Sequence, residues 1–131
     1  MSARHPKATA WEDNLKRLFD RIDAELETKY GDRYALHPNR PSRGETANPE
    51  DDGLFNVGAA FSAGFGSEHG RGYVVSLRMA TLQHVPPEVQ EAIEEEVVER
   101  VRNMLPEFFP GRELRVERDG HAFKITGDLR L

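Results

Sequence analysis

The chain has 131 residues, of which 37% are hydrophobic and 31% charged, and its formal net charge is −5. A chain of this length fits one domain with a single hydrophobic core, and this composition lies outside the range of disordered proteins. The negative charge argues against a protein that coats nucleic acid, and the lack of cysteine excludes disulfides and thiolate chemistry.

The N-terminal residues 1–9 contain no apolar run of the kind that a secretion signal requires. The longest stretch without charge, residues 53–67, is rich in Gly, Ala and Ser and too short to span a bilayer. We therefore expect a cytoplasmic protein that does not enter a membrane, with residues 1–8 flexible.

A first helix is predicted to start at a capping box, Thr9 to Glu12, in which each side chain satisfies an amide of the first turn. Apolar residues then recur at the three-and-four spacing of one buried stripe. The stripe comprises Trp11, Leu15, Leu18, Phe19, Ile22, Leu26 and Tyr30. Gly31 is the expected end of this helix.

A long loop is predicted over residues 31–53, which are rich in Pro, Gly, Asn and Asp. Loops of this length are uncommon in compact domains unless they are functional. Arg40 and Arg43 stand between prolines and a glycine, where their guanidinium groups would hold a phosphate or carboxylate. His37, Glu45 and His69 would supply proton transfer beside them. The alternative is an exposed loop whose arginines pair with its own acidic residues.

A first β-hairpin is indicated by strict alternation in residues 54–65 and again in residues 73–81. Pairing Phe61 with Leu77, and Phe65 with Tyr73, would keep the apolar side chains on one face. The other face of the first strand carries small residues, which favour close packing against another subunit or a protein partner. These predicted interface residues are Asn56, Gly58, Ala60, Ser62 and Gly64.

A second helix is predicted to open at Pro86-Pro87 and to end or kink at Pro106. A second hairpin follows over residues 114–126, with a two-residue turn at Asp119-Gly120. That turn would place Val116 opposite Phe123 and would leave Arg115 opposite Lys124 on the solvent side. Residues 128–131 would extend the last strand.

The predicted fold is a single α+β domain over residues 1–131, in the order α-β-β-α-β-β. A two-layer sandwich with a four-stranded antiparallel sheet and both helices on one face buries every apolar stripe. This order is topologically similar to a ferredoxin-like sandwich read in circular permutation, an analogy that implies no function.

Motifs that would assign an activity are absent from the sequence. The histidines form no HxH, HxxxH or HExxH spacing, no serine lies in a GxSxG frame, and no phosphate-binding glycine loop matches. We therefore expect no metal and no cofactor. The first hypothesis is a non-catalytic cytosolic binding or accessory domain that forms a homo-oligomer or contacts a protein partner. The alternative is a small-molecule binder or enzyme acting on a small anionic ligand held by Arg40 and Arg43.

Overall fold

The computed structural model describes residues 6–64, 67 and 69–130, and it confirms the predicted α+β architecture. The two helices pack on a four-stranded antiparallel sheet. The elements are α1 (Pro6–Tyr30), a 3-10 helix (Pro49–Asp51), β1 (Phe55–Ser62), β2 (Gly72–Met79), α2 (Pro87–Phe108), β3 (Leu114–Asp119) and β4 (Ala122–Gly127). None of the helices formed by these residues has the length and apolar content needed to cross a bilayer.

The strand order in the sheet is β1-β2-β4-β3, so the last strand of the chain lies beside β2 in the centre. The same order results from circular permutation of a ferredoxin-like β-α-β-β-α-β fold. The permuted chain begins at the first helix, and the first strand becomes the last. The predicted topological analogy therefore holds, and it leaves β1 and β3 as the two edge strands.

Helix α1 is longer than predicted, and helix α2 does not end at Pro106. Helix α1 begins at Pro6, so the predicted start at the Thr9 capping box is wrong; proline is well tolerated in a first helical turn. Residues 6–8 of the segment predicted to be flexible are helical, and residues 1–5 lie outside the described residues. Helix α2 continues past Pro106 to Phe108, because a proline so near the C-terminal end disturbs little of the helix.

The first hairpin pairs Phe61 with Tyr73, so the predicted pairing of Phe61 with Leu77 is wrong by four residues. Phe65, predicted to face Tyr73, lies outside the described residues. Strand β1 ends at Ser62, before the end predicted from the alternation, and Gly64 beyond it has a φ of 82°, which is unfavourable for residues with a Cβ atom. An even shift leaves each side chain on its predicted face, because side chains alternate along a strand.

The second hairpin turns at Gly120-His121 and pairs Asp119 with Ala122, so its predicted register is wrong by two residues. Gly120 has a φ of 65°, and positive φ at only the first central residue is the pattern of a type II′ turn. The shift places Glu117, rather than Arg115, opposite Lys124. It thereby replaces the predicted like-charge pair with a pair of opposite charge.

The core lies between the helices and the sheet, and it contains the predicted stripe of α1. Trp11 at one end of the stripe packs on Phe109, with ring centroids 4.3 Å apart. The buried apolar side chains are Trp11, Leu15, Leu18, Phe19, Ile22, Leu26, Leu54, Phe55, Val57, Ile93, Val97, Val98, Val101, Met104, Leu105, Phe109, Val116, Ile125 and Leu129. Strand β4 ends at Gly127, so residues 128–130 do not extend it as predicted.

The opposite face of the sheet is partly covered by the β1–β2 loop. Lys124, predicted to be exposed there, is buried, because its ammonium donates hydrogen bonds to Gly70 O (2.7 Å) and Ser67 Oγ (3.1 Å) of this loop. Asp119 Oδ2 accepts a third hydrogen bond from it at 2.8 Å. A Cβ atom on Gly72 would lie 2.7 Å from Lys124 Cγ, so glycine is needed for the lysine to cross β2.

Candidate functional site

The Arg40 side chain connects the α1–β1 loop to the first strand through hydrogen bonds to main-chain carbonyl groups. Its Nε donates to Gly53 O at 3.0 Å, and its Nη2 donates to the carbonyl oxygens of Glu50 (2.6 Å), Asp52 (3.0 Å) and Phe55 (3.2 Å). A charged donor shared among partly buried carbonyls contributes substantially to stability. The guanidinium is thus engaged by main-chain groups at the place where an anion was predicted to bind.

The loop also encloses two acidic side chains of α1 that were not predicted to form part of a site. Asp23 is only 2% exposed and Glu27 only 7%. Glu27 Oε1 accepts a hydrogen bond from Phe55 N at 2.7 Å, whereas Asp23 Oδ2 has no hydrogen-bond partner among the described residues. Asp23 and Glu27 follow Phe19 by four and eight residues, and residues four apart share a helix face. This spacing was the feature of the sequence from which their burial could have been predicted.

A third buried carboxylate, Asp52, faces this pair from the loop. Its Oδ2 accepts hydrogen bonds from Thr46 N at 3.0 Å and Thr46 Oγ1 at 2.9 Å. We call Asp23, Glu27 and Asp52 the buried acidic cluster. Within the part of the chain that the structure describes, no group of His, Asp and Glu side chains is placed to hold a metal ion.

The three carboxyl groups titrate differently because their surroundings differ. Burial, reinforced by the negative charges of Glu27, Asp20 and Asp52, raises the pKa of Asp23 to about 8. Burial also raises the pKa of Glu27, although the hydrogen bond from Phe55 opposes the shift. For Asp52, burial works to raise the pKa, but hydrogen bonds from Thr46 and Gly44 outweigh it and lower the pKa below its ordinary value.

The other predicted ligand-binding residues are distributed over different parts of the fold. Arg43 Nη2 donates to Ala24 O and Thr28 Oγ1 of α1, both at 3.2 Å, and Glu45 Oε2 accepts from Ser42 N within the loop. His37 lines a shallow cleft of about 270 Å³ together with Arg40. His69 instead contacts β3, where its Nδ1 lies 2.7 Å from Glu117 Oε2. The structure therefore brings His37 and Arg40 together and places His69 in another environment.

Four of the five predicted interface residues lie on β1, on the face away from the helices, and Gly64 lies in the β1–β2 loop. Asn56 and Ser62 are half-buried, and Ala60 is exposed. A Cβ atom on Gly58 would meet only the Glu50 carboxylate, at 3.6 Å, so this position leaves space for a partner. Gly64 is different, because its close neighbour is the main chain of Gly70 in the same hairpin loop.

The outer edge of β1 is closed in its first half and open in its second half. Glu27 and Arg40 satisfy the outward N–H and C=O groups of Phe55, and Val57 is completely buried. Because outward groups alternate along an antiparallel strand, the next outward pairs belong to Val57, Ala59 and Phe61, of which only Ala59 and Phe61 are not buried. No described residue outside the sheet hydrogen-bonds to the main chain of these two. We call residues 58–62 the open edge.

A groove of about 470 Å³ runs beside the open edge, between β1 and the N-terminal half of α1. Phe61 lines it with a side chain that is 57% exposed, and its ring meets Tyr73 edge-on at 5.6 Å. The remaining lining residues are Glu12, Asp13, Leu15, Lys16, Phe19, Glu50, Gly58, Ala59 and Ala60.

The opposite edge of the sheet is protected by charge. Four of the six residues of β3 are charged, namely Arg115, Glu117, Arg118 and Asp119. Arg102 of α2 also donates to Val116 O on that strand at 3.1 Å. Charged side chains and covering groups are the usual means by which proteins prevent pairing at an edge strand. By contrast, β1 contains no charged residue, and no described group outside the sheet hydrogen-bonds to its open edge.

Two comparisons with known proteins return matches. A family model with the description "Uncharacterised protein" matches residues 6–127. An uncharacterized protein of Borreliella burgdorferi is 38% identical over 121 residues, an alignment that covers 92% of this chain and 94% of that protein. No solved structure matches the chain.

Proposed function

Because this chain belongs to that family of uncharacterised proteins, its function has to be inferred from its own surface, and we propose a non-catalytic binding domain. An extended segment, from a second copy or from another protein, pairs with the open edge of β1. The domain works in the cytoplasm, since a sequence without cysteine needs no oxidising compartment.

The difference between the two sheet edges supports this proposal most strongly. An unprotected edge strand invites pairing with another chain, and natural proteins normally block it with charge, proline, a bulge or a covering element. Strand β3 carries such protection, whereas residues 53–67, which include all of β1, contain no charged residue. An edge left free of these devices fits a strand whose natural state is to be paired.

The open edge has the two components of recognition by strand addition. Ala59 and Phe61 offer main-chain donors and acceptors, which supply affinity without depending on the partner's sequence. The groove beside them accepts alternate side chains of the incoming strand, which supplies specificity. Phe61 provides an apolar anchor of the type found at the centre of protein interfaces.

Amide hydrogen exchange tests the proposal residue by residue. The amides of Gly58 and Ala60 pair with β2 and should exchange slowly at every protein concentration. Those of Ala59 and Phe61 should exchange quickly in dilute protein and slow down when the partner strand is present. A second copy would produce this protection on concentration alone, with a matching rise in mass by light scattering.

The Ala59→Pro variant is the matched control for this experiment. Proline removes the outward donor but is tolerated on an edge strand whose N–H faces away from the sheet. The variant should therefore fold and lose the protection of Phe61. If outward and inward amides exchange alike, and if Ala59→Pro changes neither self-association nor partner capture, strand addition at this edge is wrong.

The alternative function, capture of a small anion by Arg40 and Arg43, has less support from the geometry. The two guanidinium groups hold different elements, since Arg40 donates to the loop and β1 while Arg43 donates to α1. An anion bound between them would have to replace these hydrogen bonds.

A further inference from the structure

The groove beside the open edge is acidic. It is lined by three carboxylates and one ammonium group, from Glu12, Asp13, Glu50 and Lys16. The ammonium is already engaged, because Lys16 Nζ donates to Asp20 Oδ1 at 3.0 Å and to Asn48 Oδ1 at 2.8 Å, and it lies 3.7 Å from Glu50 Oε1 of the same groove. Asp13 is exposed and has no ion pair among the described residues, so a strand lying along the open edge meets a carboxylate whose charge is not neutralised.

The aromatic side chain at the groove complements this charge. Phe61 exposes more than half of its surface, and it lines the same groove as Glu12 and Asp13. A lysine or arginine side chain can lay its methylene stem on an aromatic ring while its cationic head reaches a carboxylate. An aromatic ring bordered by carboxylates is thus a suitable receptor for one long basic side chain.

We infer that the occupant of the open edge is an extended, basic segment of another protein, with a lysine or arginine side chain seated in the groove between Phe61 and Asp13. This inference rests on the strand-addition function proposed above. The main chain of the segment pairs with Ala59 and Phe61. Its alternate side chains point towards α1, so the basic residues stand at every second position.

The same charges disfavour a second copy as the occupant. A dimer joined at this edge would bring two acidic grooves together, and each chain carries a net charge of −5. Like charges at an interface oppose association, and at physiological ionic strength they act over about 8 Å. The β1 strand itself contains no basic residue that would enter the partner's groove.

Four synthetic peptides of eight residues, with blocked ends, test the inference by NMR titration of the full chain. The first alternates Lys with Val, and the second alternates Glu with Val. The third is the first peptide with N-methyl groups on alternate residues, which removes main-chain donors. The fourth copies residues 57–64 and represents a second copy of the chain. We expect binding of the first peptide alone, with chemical-shift changes at Ala59 and Phe61.

Charge reversal identifies the groove. Asp13→Lys should weaken binding of the Lys-Val peptide about tenfold, since one exposed attraction is lost and a repulsion of similar size is added. Glu91→Lys alters the net charge equally, at an exposed position on α2, and should leave the affinity within about twofold. Equal losses in the two variants would mean that the peptide senses only the overall charge and would overturn the inference.

The failure of the inference can be told apart from failure of the proposed function. Tighter binding of the Glu-Val peptide or of the copy of residues 57–64, if abolished by the Ala59→Pro variant, overturns the basic occupant and leaves strand addition in place. Equal binding of the N-methylated and unmethylated basic peptides overturns strand addition as well. Absence of binding by every peptide, together with fast exchange of Ala59 and Phe61 at high protein concentration, also refutes both.

Discussion

Replacing Asp23 with asparagine should stabilise the protein, by an amount that grows with pH. The folded protein holds the proton of this carboxyl group, because burial raises its pKa from 3.8 to about 8. In the unfolded chain the same group ionises near its ordinary pKa. Asparagine has nearly the same shape and no ionisable proton. The stability of the Asp23→Asn variant therefore does not depend on ionisation at this position.

The sign and size follow from proton linkage. A raised folded-state pKa gives stability that is fully present below pH 3.8 and is lost as the pH rises through about 8. Each pH unit within that window lowers the unfolding free energy by about 1.4 kcal/mol. From pH 3.8 to pH 7 the loss is therefore about 4 kcal/mol, which Asp23→Asn should avoid.

Urea unfolding monitored by tryptophan fluorescence measures this difference, since Trp11 is the single tryptophan and is buried. The gain of Asp23→Asn over the wild type should be small at pH 4.5 and should reach a few kcal/mol at pH 8, as linkage requires. Asp13→Asn removes an exposed carboxylate from the same helix and controls for the change of charge. An Asp23→Asn gain that is equal at both pH values would refute the reasoning.

Three further outcomes are expected from the contacts of the loop and the sheet. Arg40→Ala should lower the unfolding free energy by about 3 kcal/mol in urea titrations, because it removes one charged donor group from four carbonyl oxygens. Arg43 is exposed, so Arg43→Ala should lower the unfolding free energy by less than about 1 kcal/mol. Gly72→Ala should cost about 2 kcal/mol or more, since its Cβ would lie 2.5 Å from Ile125 O, while Gly58→Ala, with only an ordinary contact, should be tolerated. In a thermal-shift screen of phosphorylated and carboxylated metabolites we expect no rise in melting temperature; a rise that both arginine variants abolish would restore the small-anion alternative.

The buried acidic cluster and the open edge are connected through one residue. Glu27 and Arg40 bind the outward N–H and C=O groups of Phe55, where a partner strand would otherwise continue. The loop therefore limits the length over which β1 can pair. Substitutions of Arg40 are for this reason expected to disturb both the stability of the loop and the first half of the β1 edge.

The class and order of the elements could be read from the sequence because they depend on local periodicity. The stripe from Trp11 to Leu26 predicted the buried face of α1, and the alternation around Phe61 predicted β1. The small residues on one face of this strand also favoured a packing surface there before its place in the sheet was known. These patterns involve residues that are close together in the sequence, so they require no knowledge of distant neighbours.

Strand register, strand order and the burial of Asp23 were decided only by the tertiary structure. An alternating strand that slides by two or four residues keeps the same face, so periodicity could not distinguish the predicted registers from those observed. The roles of Arg40 and Lys124 likewise depend on partners more than ten and fifty residues away in the sequence. Such partners meet only after the chain has folded, which is why the sequence by itself indicated a binding surface on β1 but not which part of its edge stays open.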